Sequence, residues 1–366
     1  MWYYVGLDLH SNNTYVGLID ENENRLVSGR FPNDLCVILK VLKPYKENIK
    51  EIAVESTYNW YWLVDGLMEN GYRVSLAHPA GFQPYKGLKH TDDKSDSFFL
   101  ARLLKLEILP KGYIYPKEQR QLRDLMRKRI LLSKQRTTHI LSFQSLANRN
   151  KCLSFSSSEV KSLEATDIES MFEDELLTES AKSNINSIKF LESEIKRVEK
   201  ILFKYVSLKA QYNILLTVPG IGKYLALTIA LETGDINRFS SAGDYASYCR
   251  AVESKRKSNL KIKGHNNSKN GNVYLAWAFG EAATFMKRFC PEAKEYQNKK
   301  GNSKHKIVCV KSLANKISKA CYYMIRDNKP FDVNRLFGLP PKSNKIKESG
   351  SEPDRGTGNQ TQAPIG

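Results

Sequence analysis

Hydrophobic residues run almost without interruption from Trp2 to Leu9, give way to Ser-Asn-Asn at 11–13, resume from Thr14 to Ile19, and stop again at Glu-Asn-Glu-Asn, 21–24. With a shorter strand after the second polar break, this pattern predicts a hairpin or three-stranded meander. Helical spacing sets in from Phe31 to Tyr45. Glu51 to Val54 then reads as a strand that delivers Glu55 to its C-terminal end, and an aromatic-rich helix follows. The run YRVSLAHPAGF supplies another strand and a loop, and HTDDKSDSFFLARLL, residues 90–104, opens a helix that continues through Leu106. Strands and helices in this order, with a crossover, predict an α/β layer in which a sheet is flanked by helices.

Beyond Pro116 the pattern becomes mainly α-helical. KEQRQLRDLMRKRILLSKQRTTHILSFQSLANRNK reads as one long helix. Ser156 to Lys209 lacks Pro and Gly, and its apolar positions Ile185, Ile188, Leu191, Ile195, Val198 and Ile201 or Leu202 recur at separations of three and four. Such an amphipathic stretch pairs with another helix, either within the chain as a helical hairpin or between subunits as a coiled-coil-like contact. NILLTVPGIGKYLALTIALETGDINRF places two helical runs around Pro-Gly-Ile-Gly, and Arg250 to Asn272 reads as a glycine- and asparagine-rich loop. The expected organisation is an α/β unit over 1–115, a basic helix and amphipathic helical connector over 116–210, an α-rich unit over 211–340, and a disordered tail over 341–366, where apolar residues almost vanish.

Composition narrows the function. The 366 residues carry 57 Lys plus Arg against 39 Asp plus Glu, a net charge of +18. That excess favours a polyanionic partner, nucleic acid ahead of an anionic membrane. No stretch approaches the roughly 18 uninterrupted apolar residues of a spanning helix, and no basic region precedes the first apolar run, so the chain reads as cytoplasmic. Six cysteines without a CxxC pair argue against a zinc knuckle or a disulfide framework, which leaves reduced, mostly buried thiols.

Against that basic background, Asp92, Asp93 and Asp96 stand within five positions. They read as a solvated helix start or as ligands for a hard divalent cation. Asp8 lies inside an apolar strand, where a charge is costly unless paired or metal-bound, or else faces solvent at an edge. Ligands of open α/β sheets gather at strand ends, so Asp8, Glu55 and the helix acids could converge and hold two Mg2+ ions about 3.5 to 4 Å apart for phosphodiester chemistry. Asp93 and Asp96 share a helix face, and so do Asp92 and Asp96; spacing alone does not choose between them.

VGLDLH, AVEST, GLKHTDDKSDSFFLARLL and ILPKGYIYP, in this order, resemble the DEDD transposases of bacterial insertion sequences in the family called one-ten, subgroup eleven-eleven. The resemblance implies a RuvC-like ribonuclease H fold for the first domain, with Asp8, Glu55, Asp93 and Asp96 binding Mg2+ or Mn2+. The family's helix motif is approximately T-D-x-x-D-A, whereas this chain reads T-D-D-K-S-D-S, with Ser97 for Ala and the extra Asp92 as a possible substitute ligand.

Residues suited to nucleic acid follow. From Lys117 to Thr137 there are eight Lys or Arg and two acids, and Arg120, Arg123, Arg127 and Lys134 recur at helical spacing, as phosphate contacts would. Gly220 and Gly222 fit a helix-hairpin-helix-like turn whose backbone N–H groups hold a phosphate without reading sequence. A plain helix-helix turn is the alternative, and the P-loop signature is absent. The family's C-terminal domain carries a similar VPGIG turn. The 250–272 segment adds Lys255, Arg256, Lys257, Lys261, Lys263 and Lys269. Ser258 alone is an ordinary loop serine, and no hydrolase triad is legible around it. The resemblance promotes it to nucleophile, because family members place a serine in Q-S-G followed by K-x-G-N. Here the text is R-K-S-N and then Lys269, Asn270, Gly271, Asn272, with Asn259 in place of Gly and Ser254 and Ser268 as fallbacks.

What the resemblance implies overall is a bacterial, nucleoid-associated transposase that cleaves and exchanges DNA strands through a covalent phosphoserine. Its partners would be donor and target DNA and a noncoding bridge RNA, and it would act as a homo-oligomer, dimer to tetramer, with active sites joining domains of different subunits. Two alternatives stand beside it: a metal-dependent junction or flap endonuclease using water, and a non-catalytic nucleic-acid-binding protein whose affinity falls steeply with salt.

Overall fold

The computed structural model describes residues 1–79, 81–82, 93–206, 210–252, 255–258, 261–265, 270–301 and 305–340; for Asp93, Val206 and the strand residues between 255 and 265 only the backbone is described. Residues Met1–Phe331 belong to one compact unit. The expectation for the tail at 341–366 lies outside the described residues.

The first three strands are the expected meander. β1 (Tyr3–Leu9) pairs antiparallel with β2 (Asn13–Ile19), which pairs antiparallel with β3 (Arg25–Pro32). β3 extends further than the helical spacing from Phe31 predicts, because Phe31 and Pro32 pair with Thr14 and Asn13. The helix α1 (Leu35–Leu42) starts only after Asp34, whose carboxylate accepts from the N–H groups of Cys36 and Val37. β4 (Ile49–Glu55) ends on Glu55 as expected and lies parallel to β1; α2 (Tyr61–Glu69) and the parallel β5 (Val74–Ala77) follow. After α3 (Asp93–Lys105) comes a two-residue strand that the hydrophobic pattern does not announce, β6 (Lys111–Gly112), antiparallel to β5. The strand order is β3-β2-β1-β4-β5-β6.

Strand alternation divides this sheet into two faces. Val5, Leu7 and Leu9 of β1, with Ile52 and Val54 of β4, build the core shared with α1 and α2. Tyr4 and Ala53 turn the other way and pack with Phe98, Phe99, Leu100, Ala101, Leu103 and Leu104 of α3. Gly6 and Gly17 sit where α3 crosses. A Cβ on Gly6 would come 2.8 Å from the Ala101 nitrogen, and one on Gly17 would come 2.6 Å from Ser97 Oγ. The two glycines let the start of α3 rest directly on the backbone of β1 and β2. Ser97, where the family motif has Ala, is fully buried in that contact and turns its hydroxyl onto the Lys94 carbonyl at 2.9 Å.

α4 (Lys117–Lys151) has 35 residues, about 50 Å of helix. Two short helices, α5 (Ser157–Ser162) and α6 (Ala165–Glu169), lead to α7 (Glu175–Val206). Ile140, Phe143 and Ala147 of α4 pack with Ala181, Ile185 and Ile188 of α7. Arg129 pairs with Glu199 at 2.8 Å across the same seam. Within this chain the amphipathic face is therefore buried as an intramolecular hairpin, and of the two candidates at its end Leu202 is buried while Ile201 stays exposed.

The remainder is helical apart from one ribbon. α8 (Ala210–Leu215) and α9 (Lys223–Thr233) flank the Pro-Gly-Ile-Gly turn, and α10 (Ala242–Tyr248) follows. The segment read as a loop contains two strands, β7 (Lys255–Ser258) and β8 (Lys261–His265), in an antiparallel pair of their own. Strands of four and five residues leave too short a pattern to register as periodic. α11 (Val273–Phe289), α12 (Pro291–Gly301) and α13 (Lys306–Asp327) complete the unit. α14 (Val333–Phe337), capped by Asp332, belongs to the segment that begins at residue 332. All six cysteines are free thiols; Cys249, Cys290, Cys309 and Cys321 are buried, and Cys36 and Cys152 are exposed.

Candidate active site

The face of the sheet beneath α3 determines where the acids go. Asp8 follows Tyr4 and Gly6 at every second position of β1, so it turns toward α3 and is 3% exposed, not edge-facing. Glu55 follows Ala53 onto the same side of β4. The parallel register sets Leu7 beside Val54, so Asp8 and Glu55 are neighbours at the C-terminal ends of adjacent strands. From above, α3 delivers Asp96 one residue before the point where Ser97 meets the sheet backbone.

The electrostatics of Asp8 record this convergence. Its carboxyl is pushed up to about 7, first by burial, then by a hydrogen bond with Glu55 and by the charges of Glu55 and Asp96, while His10 pulls the other way. His10 Nε2 lies 3.3 Å from Asp8 Oδ2. The His10 carbonyl accepts from Asn33 Nδ2 at 3.0 Å and Asn59 Nδ2 at 2.9 Å, which ties the β1–β2 turn to the segments after β3 and β4. Among the described residues no three acidic, histidine or cysteine side chains close into metal-holding geometry, and the Asp93 carboxyl is not one of the described side chains. Asp92 lies outside the described residues, so register and spacing still leave Asp92 or Asp93 as the fourth acid. The donors present are nonetheless carboxylate oxygens crowded until one of them retains a proton near neutrality. That set fits a hard divalent cation, whose charge would replace the proton.

The basic helix behaves differently from its charge pattern. Arg120 is 3% exposed, pairs with Asp65, and lies over the rings of Trp60 and Tyr61 at 5.0 and 4.5 Å. Arg123 donates to the Tyr61 hydroxyl at 2.8 Å and stacks 3.8 Å above Tyr115. Arg127 makes a two-pronged contact with Glu232 at 2.6 and 2.7 Å. These three are not open phosphate contacts in this arrangement; they fasten α4 to the structures on either side of it. Helical spacing registers only that the arginines share a face, not that the face meets aromatic rings. Lys134, one turn or more beyond, is exposed and remains suited to phosphate.

The glycine turn divides in the same way. Gly220, at φ +91°, presses on α11, where a Cβ would come 2.8 Å from both the Ala282 carbonyl oxygen and the Met286 Cα. Gly222 has open space around it and starts α9 with no side-chain cap, beside the exposed Lys223. Of the two, Gly222 is the one that faces solvent.

Ser258 ends β7 and pairs in register with Lys261; Lys255, Arg256, Lys257 and Lys263 lie on the same ribbon, which is a sheet separate from the one carrying Asp8 and Glu55. Lys269, Ser254 and Ser268 lie outside the described residues. Two further residues, Glu232 and Asn272, carry weight that no motif announces. Glu232 is 2% exposed and accepts from Arg127 and from Asn272, whose side chain also caps α11. A single acid in the apolar run LALTIALET and an asparagine directly before VYLAWAF were the available signals. No helix among the described residues is long and apolar enough to cross a membrane.

A family model for the DEDD transposase domain of the IS110 type, described as a transposase, matches residues 5–149, and one described as the transposase IS116/IS110/IS902 family matches residues 212–298. The first span holds Asp8, Glu55, α3 and all but the end of α4, and the second holds the glycine turn and the ribbon. The pilin gene-inverting protein of Moraxella bovis is 24% identical over 353 residues, covering 90% of this chain and 97% of that protein. The corresponding Moraxella lacunata protein gives the same figures. A probable family 20 transposase of Pseudomonas aeruginosa is 23% identical over 250 residues, 65% of this chain and 72% of its own length.

Proposed function

The chain belongs to the IS110 family of transposases and is a DNA transposase/recombinase, and from that premise we propose that it exchanges DNA strands with an acidic centre in its first domain and a serine in its second. The first domain is read as a RuvC-like ribonuclease H fold, which the β3-β2-β1-β4-β5 order with one antiparallel central neighbour supports. Asp8, Glu55 and Asp96, with Asp93 or Asp92, would hold Mg2+ or Mn2+. When bound, such an ion supplies positive charge against the phosphate oxygens and the leaving oxygen.

The Ser258 hydroxyl is the proposed nucleophile. Its Oγ forms a bond to phosphorus as one phosphorus–deoxyribose oxygen bond breaks, and the freed DNA hydroxyl takes up a proton. A hydroxyl from the exchanged strand then attacks the phosphoserine, regenerating the serine. Two transfers conserve the number of phosphodiester bonds, so recombination needs no external energy source. The ribbon's lysines and arginine offer charge for the pentacovalent phosphate, and Lys134, Gly222 and Lys223 offer backbone contacts along the duplex. A bridge RNA pairing with donor and target DNA, and a tetramer with active sites completed between subunits, are part of the same reading.

The observation that carries this proposal is the placement of Asp8 and Glu55 side by side beneath α3, with the Asp8 carboxyl pushed up to about 7. The test is recombination by the purified full-length chain with the element's flanking noncoding RNA, joined-end DNA and Mg2+. Asp96→Asn and Ser258→Ala should each abolish strand exchange at normal protein levels, and full exchange by either removes that residue from the mechanism.

A further inference from the structure

The segments that flank the β7–β8 ribbon in sequence meet at one polar junction. The Asn272 N–H donates to the Tyr248 carbonyl at 2.6 Å, and Arg250 reaches the Gly271 carbonyl with Nη2 at 2.9 Å. Residues 248–250 before the ribbon and 271–272 after it are thereby tied together. Gly271, at φ +91°, permits the approach, since a Cβ there would press on the Tyr248 carbonyl.

From this root a chain of buried contacts runs to α4. Asn272 Oδ1 accepts from the N–H groups of Tyr274 and Leu275 at 2.8 and 3.0 Å, which starts α11, while its Nδ2 donates to Glu232 Oε2 at 2.7 Å. Glu232 receives Arg127 Nε at 2.6 Å on Oε1 and Arg127 Nη2 at 2.7 Å on Oε2. The Arg127 guanidinium lies 4.6 Å over the Tyr274 ring, and the Tyr115 hydroxyl donates to the Glu232 carbonyl at 2.6 Å. A buried carboxylate adds little to stability compared with an apolar side chain of similar volume. What three directional donors contribute is a fixed geometry between α4, α9 and the start of α11.

We infer that Arg127, Glu232 and Asn272 are positioning residues: they tie the segments flanking the β7–β8 ribbon, and through them Ser258, to α4. The inference rests on the reading of the ribbon as the strand-transfer element. Without the lock the ribbon shifts relative to α4, and a displacement on the order of 1 Å costs roughly a hundredfold in rate while leaving phosphate contacts in place.

Asn272→Asp isolates the lock from the cap, because a carboxylate still accepts from the α11 N–H groups but cannot donate to Glu232. Single-turnover cleavage of end-labelled joined-end DNA is measured with the full chain, its RNA and Mg2+, normalised to the folded fraction from near-ultraviolet circular dichroism. Asn272→Asp should slow cleavage roughly ten- to a hundredfold with DNA affinity within about twofold. Where Asn272→Asp fails to fold, Arg127→Lys, which keeps the charge but loses the two-pronged contact, carries the same expected slowing. Wild-type cleavage per folded molecule in Asn272→Asp, or in Arg127→Lys where that variant is used, overturns the inference. Ser258→Ala is run in parallel: normal cleavage there refutes the nucleophile, a separate result from the ratio that judges the lock.

Discussion

Asp8→Asn should stabilise the metal-free protein while destroying its chemistry. Asp8 sits under α3 against Glu55 and Asp96, and its carboxyl is raised from 3.8 to about 7. As pH rises through this window the unfolded chain loses the proton freely, whereas the folded chain must hold it or accept a third crowded charge. The stability contributed by the protonated form is present in full below the unfolded value and is lost as pH climbs through about 7. At ~1.36 kcal/mol per pH unit the rise corresponds to at most about 4 kcal/mol. An amide removes the titration but gives up part of the contact with His10, worth about 1 kcal/mol. The net expectation at pH 8 in EDTA is a gain of roughly 1–3 kcal/mol for Asp8→Asn. Urea unfolding at pH 5, 6, 7 and 8 measures it: the wild type should weaken with pH and Asp8→Asn should not. Mg2+ should restore the wild type at pH 8 by mass action and leave the variant nearly unchanged. A variant less stable than the wild type at pH 8, or with the same pH slope, refutes the assignment of Asp8 to a crowded carboxylate centre.

Other expectations follow from the packing. Gly6→Ala puts a methyl into the backbone of α3 at Ser97 and Ala101; it should cost about 1–3 kcal/mol by denaturant unfolding and depress cleavage by lifting Asp96, and a neutral effect on both would contradict the close approach. Arg120→Ala strands the half-buried Asp65 and should destabilise by about 3 kcal/mol. Lys134→Ala should leave stability unchanged, lower DNA affinity uniformly across sequences, and reduce the salt slope of binding by about 1.

The sheet was legible because β1 and β2 are apolar runs split by polar turns, and because Glu55 stands where an apolar strand stops. Which way Asp8 points was not legible. Both faces of β1 are covered, so alternation between polar and apolar residues, the usual marker of an exposed side, is missing, and only the docking of α3 over Gly6 and Gly17 settles it. The arginines of α4 misled for a different reason. Their spacing encodes a shared face, but Trp60, Tyr61 and Glu232, which cover much of that face, come from distant parts of the chain. The β7–β8 ribbon escaped notice because lysines, glycine and asparagines mark solvent-facing backbone equally well in a loop or in a short edge ribbon. Asn272 looked like one more loop polar residue, yet its place directly before an apolar helical run is a capping signal that deserved its own reading.

The central claim is that Ser258 takes the DNA phosphate onto its own oxygen. The most direct measurement incubates the full-length chain with its RNA, Mg2+ and labelled joined-end DNA, quenches in denaturant, and maps any DNA-linked peptide by mass spectrometry. The account expects a denaturation-resistant adduct in the peptide containing Ser258, absent from Ser258→Ala and from Asp96→Asn. Cleaved DNA with no adduct, or an adduct on another residue, would contradict it.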